Sequence, residues 1–87
     1  MRSYQLVFKK SVAKDLHSIP NKAIKQILKR INQLREAPRG AGCIKLSSQE
    51  RYRVRQGCYR IIYEIKDAEL IIIVVKIAHR KNAYKDG

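Results

Sequence analysis

The sequence predicts an α+β domain of order β-α-α-β-β-β, with an N-terminal helical hairpin packed on a mostly antiparallel four-stranded sheet. Three observations predict it. Apolar residues between Ser11 and Glu36 recur at helical spacing. Those of Ser3–Phe8 and Arg51–Ile65 alternate with the period of two that strands require. Leu70–Ala78 is apolar on both faces, as in a strand covered on both sides. At 87 residues the chain, 1–87, suits one domain with a thin core.

In order along the chain, Ser3 to Phe8 forms the first strand. Val12, Leu16 and Ile19 then fall on one helical stripe that ends at Pro20. After the Pro20-Asn21 break, Ile24, Ile27, Leu28, Ile31 and Leu34 define an amphipathic helix from about Asn21 to Glu36, whose outer face carries Lys22, Lys25, Lys29, Arg30 and Arg35. Ala37-Pro38-Arg39-Gly40-Ala41-Gly42 is a loop. Ile44 to Leu46 begins a strand that Ser47-Ser48-Gln49 interrupts. Arg51 to Ile65, R-Y-R-V-R-Q-G-C-Y-R-I-I-Y-E-I, reads as two strands joined by a Gln56-Gly57 turn, with glycine supplying a positive φ. A two-residue loop there pairs Arg55 with Cys58, Val54 with Tyr59 and Arg53 with Arg60. Asp67-Ala68 makes a second turn, with Lys66 and Glu69 as an opposite-charge pair beside it.

That hairpin is where function enters. Side chains alternate along a strand, so Tyr52, Val54, Tyr59, Ile61 and Tyr63 share one face and Arg51, Arg53, Arg55 and Arg60 share the other. Like charges opposed on a sheet are destabilising, and nothing in folding asks for them. An anionic ligand does. The whole chain agrees: 20 Lys+Arg against 7 Asp+Glu give a net charge of +13, which favours nucleic acid, acidic lipid or an acidic protein as partner.

Other classes fall away. Cys43 and Cys58 fit neither a disulfide framework nor a zinc pattern, and no metal or other cofactor is implied. Gln5-Leu6-Val7-Phe8 runs straight into Lys9-Lys10, unlike a signal peptide. The apolar run Leu70–Val75 is too short to span a bilayer. A cytoplasmic protein with reduced thiols and no membrane partner is expected. Of the two histidines, His17 sits on the helix surface away from the arginines, while His79 adjoins Arg80 and suits a structural or phosphate-contacting role as well as catalysis.

Strand, helical hairpin, the P-R-G loop, Lys45-Leu46, Y-R-V-R-x-G-x-Y-R-I-I-Y-E-I at Tyr52–Ile65, and an apolar strand closing on H-R-K-x-x-Y at His79–Tyr84 together resemble the RelE/ParE toxin superfamily, in its RelE-type mRNA interferase branch. The resemblance covers nearly the whole chain. It implies a microbial-RNase-like fold, cleavage of messenger RNA in the ribosomal A site against 16S rRNA, and neutralisation by a cognate acidic, RelB-like antitoxin encoded beside the toxin. It implies no metal. In that branch a tyrosine near the C-terminus is the base, an arginine before it the acid, and hairpin cations hold the phosphate. The matching catalytic positions are Tyr84, Arg80, Arg53 and Arg60, with Arg51, Arg55, Lys45, His79 and Lys81 as RNA-phosphate contacts.

Chemistry sets the demands. Metal-free RNA cleavage needs a base for the 2′-OH, an acid for the 5′-oxygen and cations on the phosphorane. A tyrosine, with an ordinary pKa of about 10, becomes a base only where cations favour its phenolate. The chain departs from the family in carrying arginines at 53 and 55 where well-known RelE enzymes have lysines, which suits phosphate clamping better than proton relay. Cys58 stands where many relatives have an acid. Two rivals stay open: a ParE-like inhibitor of DNA gyrase without nuclease activity, and a non-catalytic RNA-binding domain in which Tyr84 is dispensable.

Overall fold

The computed structural model describes residues 3–46 and 51–79. The elements run β1 (Gln5–Phe8), α1 (Lys10–His17), α2 (Asn21–Leu34), β2 (Ile44–Leu46), β3 (Arg51–Gln56), β4 (Tyr59–Lys66), a 3-10 turn (Asp67–Glu69) and β5 (Ile71–His79). One sheet of order β1-β5-β4-β3-β2 results, with β1 parallel to β5 and the other three pairings antiparallel. The sheet therefore has five strands where the sequence leads one to expect four. Ile44–Leu46 pairs in its own right along β3, and is a separate edge strand.

Both helices cover one face of the sheet. Val12 from α1 and Ile27, Ile31 and Leu34 from α2 are buried against Tyr52, Val54, Ile61, Tyr63, Ile65, Ile72, Val74 and Ile77. At period 3.6 these helical positions form one stripe, and burying each such side chain contributes roughly 1.5–3 kcal/mol. Leu28, expected on that stripe, is 41% exposed. It lies 100° from Ile27 around the helix, past the reach of the sheet. Pro20 separates the helices by capping the start of α2, where its carbonyl accepts the amide of Ile24.

A bulge in β5 governs what faces where. Ile62 pairs with Lys76 and Tyr63 with Val74, so Val75 is one residue too many. Such an extra residue flips the alternation: Ile72 and Val74 point at the helices before it, Ile77 and His79 after it. Helix α1 satisfies the backbone groups the bulge disturbs, since the Ile77 amide donates to Asp15 Oδ2 at 3.1 Å and Ser11 Oγ donates to the Val75 carbonyl at 3.4 Å. The expectation of a strand covered on both faces needs correction. Ile71, Ile73 and Val75 are half-buried, and β5 is apolar at both parities partly because the bulge makes each parity face the core in turn. Its first expected residue, Leu70, belongs to the turn, at φ 54°.

The loop after α2 ties the sheet's far corner down. Arg39 donates through Nη1 and Nη2 to both oxygens of Asp67 and through Nε to Tyr52 Oη, and its guanidinium lies 5.4 Å from the Tyr52 ring centre. Asp67, expected only as a turn residue, is thus the loop's anchor, and Tyr4 Oη also donates to it at 2.7 Å. The buried Tyr63 hydroxyl donates to the Pro38 carbonyl. Tyr63 stacks on Tyr52 with ring centres 5.9 Å apart. These interactions hold β3 and β4 rigidly from behind.

Candidate nucleic-acid interface

The face of the sheet turned away from the helices carries the site. Its scaffold is the β3–β4 hairpin, which turns at Gly57-Cys58, one residue later than expected from sequence. Gly57 has φ 59° and Cys58 does not enter the positive region, the pattern of a tight turn with glycine first. The pairs are therefore Gln56–Tyr59, Arg55–Arg60, Val54–Ile61, Arg53–Ile62, Tyr52–Tyr63 and Arg51–Glu64. Each pairing moves by two residues from the expected one, which preserves its face. Arg51, Arg53, Arg55 and Arg60 share the helix-free side as anticipated.

The four differ in what they can offer. Arg55 is exposed and directly opposed to Arg60. Arg53 is half-buried and faces Ile62, an apolar neighbour that lowers the dielectric beside it. Arg60 is 7% exposed, the one buried charged residue among the described residues. Its partner on the β5 side is Ala78, whose small side chain leaves room for a guanidinium to lie down on the sheet. Arg51 is committed elsewhere: its Nη2 donates to Glu64 Oε2 at 2.7 Å, which holds the Glu64 carboxyl below the usual carboxylate range. That pair neutralises one end of the face and leaves the positive charge concentrated at Arg53, Arg55 and Arg60.

Not every candidate joins them. Lys45 pairs with Tyr52 and His79 with Tyr59, which puts both on the side of the sheet that the helices cover. The His79 ring meets Tyr59 edge-on, with centres 5.4 Å apart. Arg80, Lys81 and Tyr84 lie outside the described residues. His17 is exposed on α1. Among the cations that the sequence reading does not place on this face is Lys76, which the bulge sets opposite Ile62 on the arginine side. Plain alternation from Ile72 and Val74 points it at the core, so only the bulge could have revealed it. No cluster of three or more His, Cys, Asp or Glu side chains able to hold a metal occurs among the described residues, and none of their helices is long and apolar enough to cross a membrane.

A row of guanidinium groups on a partly apolar surface suits binding and charge stabilisation at phosphate, because their N–H forks match its oxygens. Residues 6–84 match the family model of the ParE toxin of type II toxin-antitoxin systems. The chain belongs to the RelE/ParE toxin superfamily. Its RelE-type branch is indicated by a Methanocaldococcus jannaschii protein named as the toxin RelE1, 35% identical over 81 residues that cover 88% of this chain and 90% of that protein.

Solved RelE/ParE structures give the same fold. The toxin–antitoxin complex RelBE2 of Mycobacterium tuberculosis contains a chain that superposes with a TM-score of 0.82 at 23% identity, covering 92% of this chain and 94% of that one. A RelB–RelE antitoxin–toxin complex from Methanococcus jannaschii does so with a TM-score of 0.73 at 27% identity, covering 92% and 96%. The expected two-helix, RelE-like α+β architecture is thereby established, with the fifth strand added.

Proposed function

We propose that this RelE-type toxin is a metal-independent endoribonuclease that cuts messenger RNA in the ribosomal A site and so stops translation. The observation that carries the reading is the juxtaposition of Arg53, Arg55 and Arg60 on the helix-free face of the sheet. Arg53 and Arg60 hold the scissile phosphate and stabilise the charge that grows on its oxygens as the 2′-hydroxyl attacks in line. Arg55, exposed and repelled by Arg60, draws the RNA chain on to the face. By family resemblance Tyr84 takes the 2′-hydroxyl proton and Arg80 protonates the departing 5′-oxygen, leaving a 2′,3′-cyclic phosphate. A cognate acidic antitoxin of the RelB kind neutralises the toxin, as solved relatives crystallised with RelB support.

Chemically, the division of labour follows from burial. A charge held at a nearly dry position, as Arg60 is, acts on a developing anion far more strongly than an exposed one. It also needs no reorganisation when the reaction occurs, because its position is fixed by the sheet. A second reading, a toxin acting on DNA gyrase, is favoured by the ParE name of the matching family model. Primer extension on messenger RNA from a purified translation reaction decides between them. The proposal expects new 5′ ends within A-site codons and intact supercoiling activity in a gyrase assay; inhibited gyrase with intact message would reverse it.

A further inference from the structure

Lys76 is the one charged residue of β5 between Ile71 and Ala78, and it stands half-buried in mid-strand. Lysine is a poor strand former and is among the residues least often drawn out of water. Its facing is set by the Val75 bulge. Without that extra residue, the alternation from Ile72 and Val74 would turn Lys76 in among the side chains buried under the helices. The bulge is itself braced by α1. The Ile77 amide donates to Asp15 Oδ2 at 3.1 Å, and Ser11 Oγ donates to the Val75 carbonyl at 3.4 Å. Bulges commonly re-aim a side chain beside a functional site. Here the side chain re-aimed is a cation, and it is delivered to the arginine face.

The register fixes its neighbours. Ile62 pairs with Arg53 on one side and with Lys76 on the other. Arg60 pairs with Arg55 and Ala78, so Arg53 and Lys76 both lie diagonal to it, each roughly 7–8 Å away across one strand spacing. Arg53 and Lys76 are two strand spacings apart, roughly 10 Å. Three cations thus surround one apolar side chain on the face that no helix covers. Resting on the nuclease reading above, we propose that Lys76 is the third cation of the scissile-phosphate site, facing Arg53 across Ile62. Arg53 and Arg60 meet the phosphate oxygens with planar forks, while the lysine adds a compact point charge whose donors turn freely. Such a group follows the oxygens as the phosphorus passes from four bonds to five and its oxygens gather charge. Ile62 is the apolar floor beside which all three charges act more strongly than in water. Their mutual repulsion is relieved when the anion arrives.

The test compares Lys76→Met, which keeps the aliphatic length and removes the charge, with Lys76→Arg and Lys66→Met. Lys66 is exposed on the same face, beyond Glu64 on β4, so its variant reports the loss of a charge as such. Two quantities are measured. One is single-turnover cleavage on programmed ribosomes at saturating toxin. The other is binding of a fully 2′-O-methylated single-stranded RNA, which cannot be cut, from about 50 to 200 mM salt. Lys76→Met should cut about a hundredfold more slowly. Its salt slope should be shallower by about 0.7, the share of one phosphate on a single strand. Lys76→Arg should keep the slope and recover most of the rate, and Lys66→Met should match wild type in both. Thermal stability of Lys76→Met should be unchanged or higher, since a like charge beside Arg60 is gone. Wild-type rate and slope in Lys76→Met would overturn the proposal and leave the nuclease reading intact. A slow variant with the wild-type slope would also overturn it, as would an equal loss of slope in Lys66→Met. A slope lowered only in Lys76→Met, in a toxin whose wild type cuts no message, would sustain the phosphate contact and defeat the nuclease.

Discussion

Arg55 faces Arg60 directly across the β3–β4 ladder, on the side of the sheet that no helix covers. Two guanidinium groups opposed in this way cost the fold roughly 0.2–1 kcal/mol relative to neutral neighbours. Replacing Arg55 by Thr, a good strand former, should therefore raise stability by about 0.5 kcal/mol in urea denaturation while weakening RNA binding. A loss of stability would mean that Arg55 is a structural residue.

The turn makes its own prediction. Gly57 has φ 59° and nothing within 4 Å of where a Cβ would stand. Gly57→Ala should accordingly cost about 1 kcal/mol through backbone strain alone, and Gly57→Asn less, since asparagine tolerates that region. Substituting Gln56, which pairs in the ladder, by Thr should be nearly neutral. Equal costs at 56 and 57 would relocate the turn.

How far the sequence reveals this architecture depends on what a period of two can encode. The arginine face is legible despite a misplaced turn, because a two-residue slip in pairing leaves every side chain on its side of the sheet. The same slip hides the Arg51–Glu64 ion pair, since the expected register sets Arg51 against Ile62. The Val75 bulge is illegible in a strand whose residues from Ile71 to Val75 are all apolar, and with it go the facings of Lys76 and His79. That Arg60 is buried and stands beside Ala78 is a fact of pairing and not of local composition. Helices α1 and α2 are plain because their stripes and Pro20 agree on the same boundaries.

Glu64 predicts a pH dependence. Its ordinary value is 4.5, and the Arg51 guanidinium lowers it in the folded protein. A depressed carboxyl binds fewer protons folded than unfolded, so its contribution is complete above 4.5 and disappears as pH falls through the lowered value. The stability gap between wild type and Glu64→Gln, followed by urea denaturation, should thus be constant from neutrality down to about pH 5 and close below 4.5. A gap that widens on acidification would show that the pair does not stabilise the ionised form.

Tyr63 is fully buried and its hydroxyl donates to the Pro38 carbonyl. Burial pushes its ionisation well above the usual tyrosine range, so it stays a neutral donor throughout the accessible pH. Tyr63→Phe should cost about 1 kcal/mol, the worth of one such bond, and should loosen the loop from Ala37 to Gly42. Hydrogen exchange at the Gly40 and Cys43 amides, which bond within that loop, should accelerate in the variant. An unchanged exchange pattern would mean that the Arg39–Asp67 pair holds the loop unaided.

The central claim is that the helix-free arginine face is a cleavage site for RNA. It is tested most directly by single-turnover cleavage of messenger RNA on programmed ribosomes, comparing wild type with Arg53→Ala and Tyr84→Phe. Arg53 is half-buried and makes no ion pair among the described residues, so its loss should leave the fold intact. At saturating toxin both variants should cut at least about a hundredfold more slowly, as the loss of a charge-stabilising donor or a general base does. Wild-type rates from both variants would contradict the account.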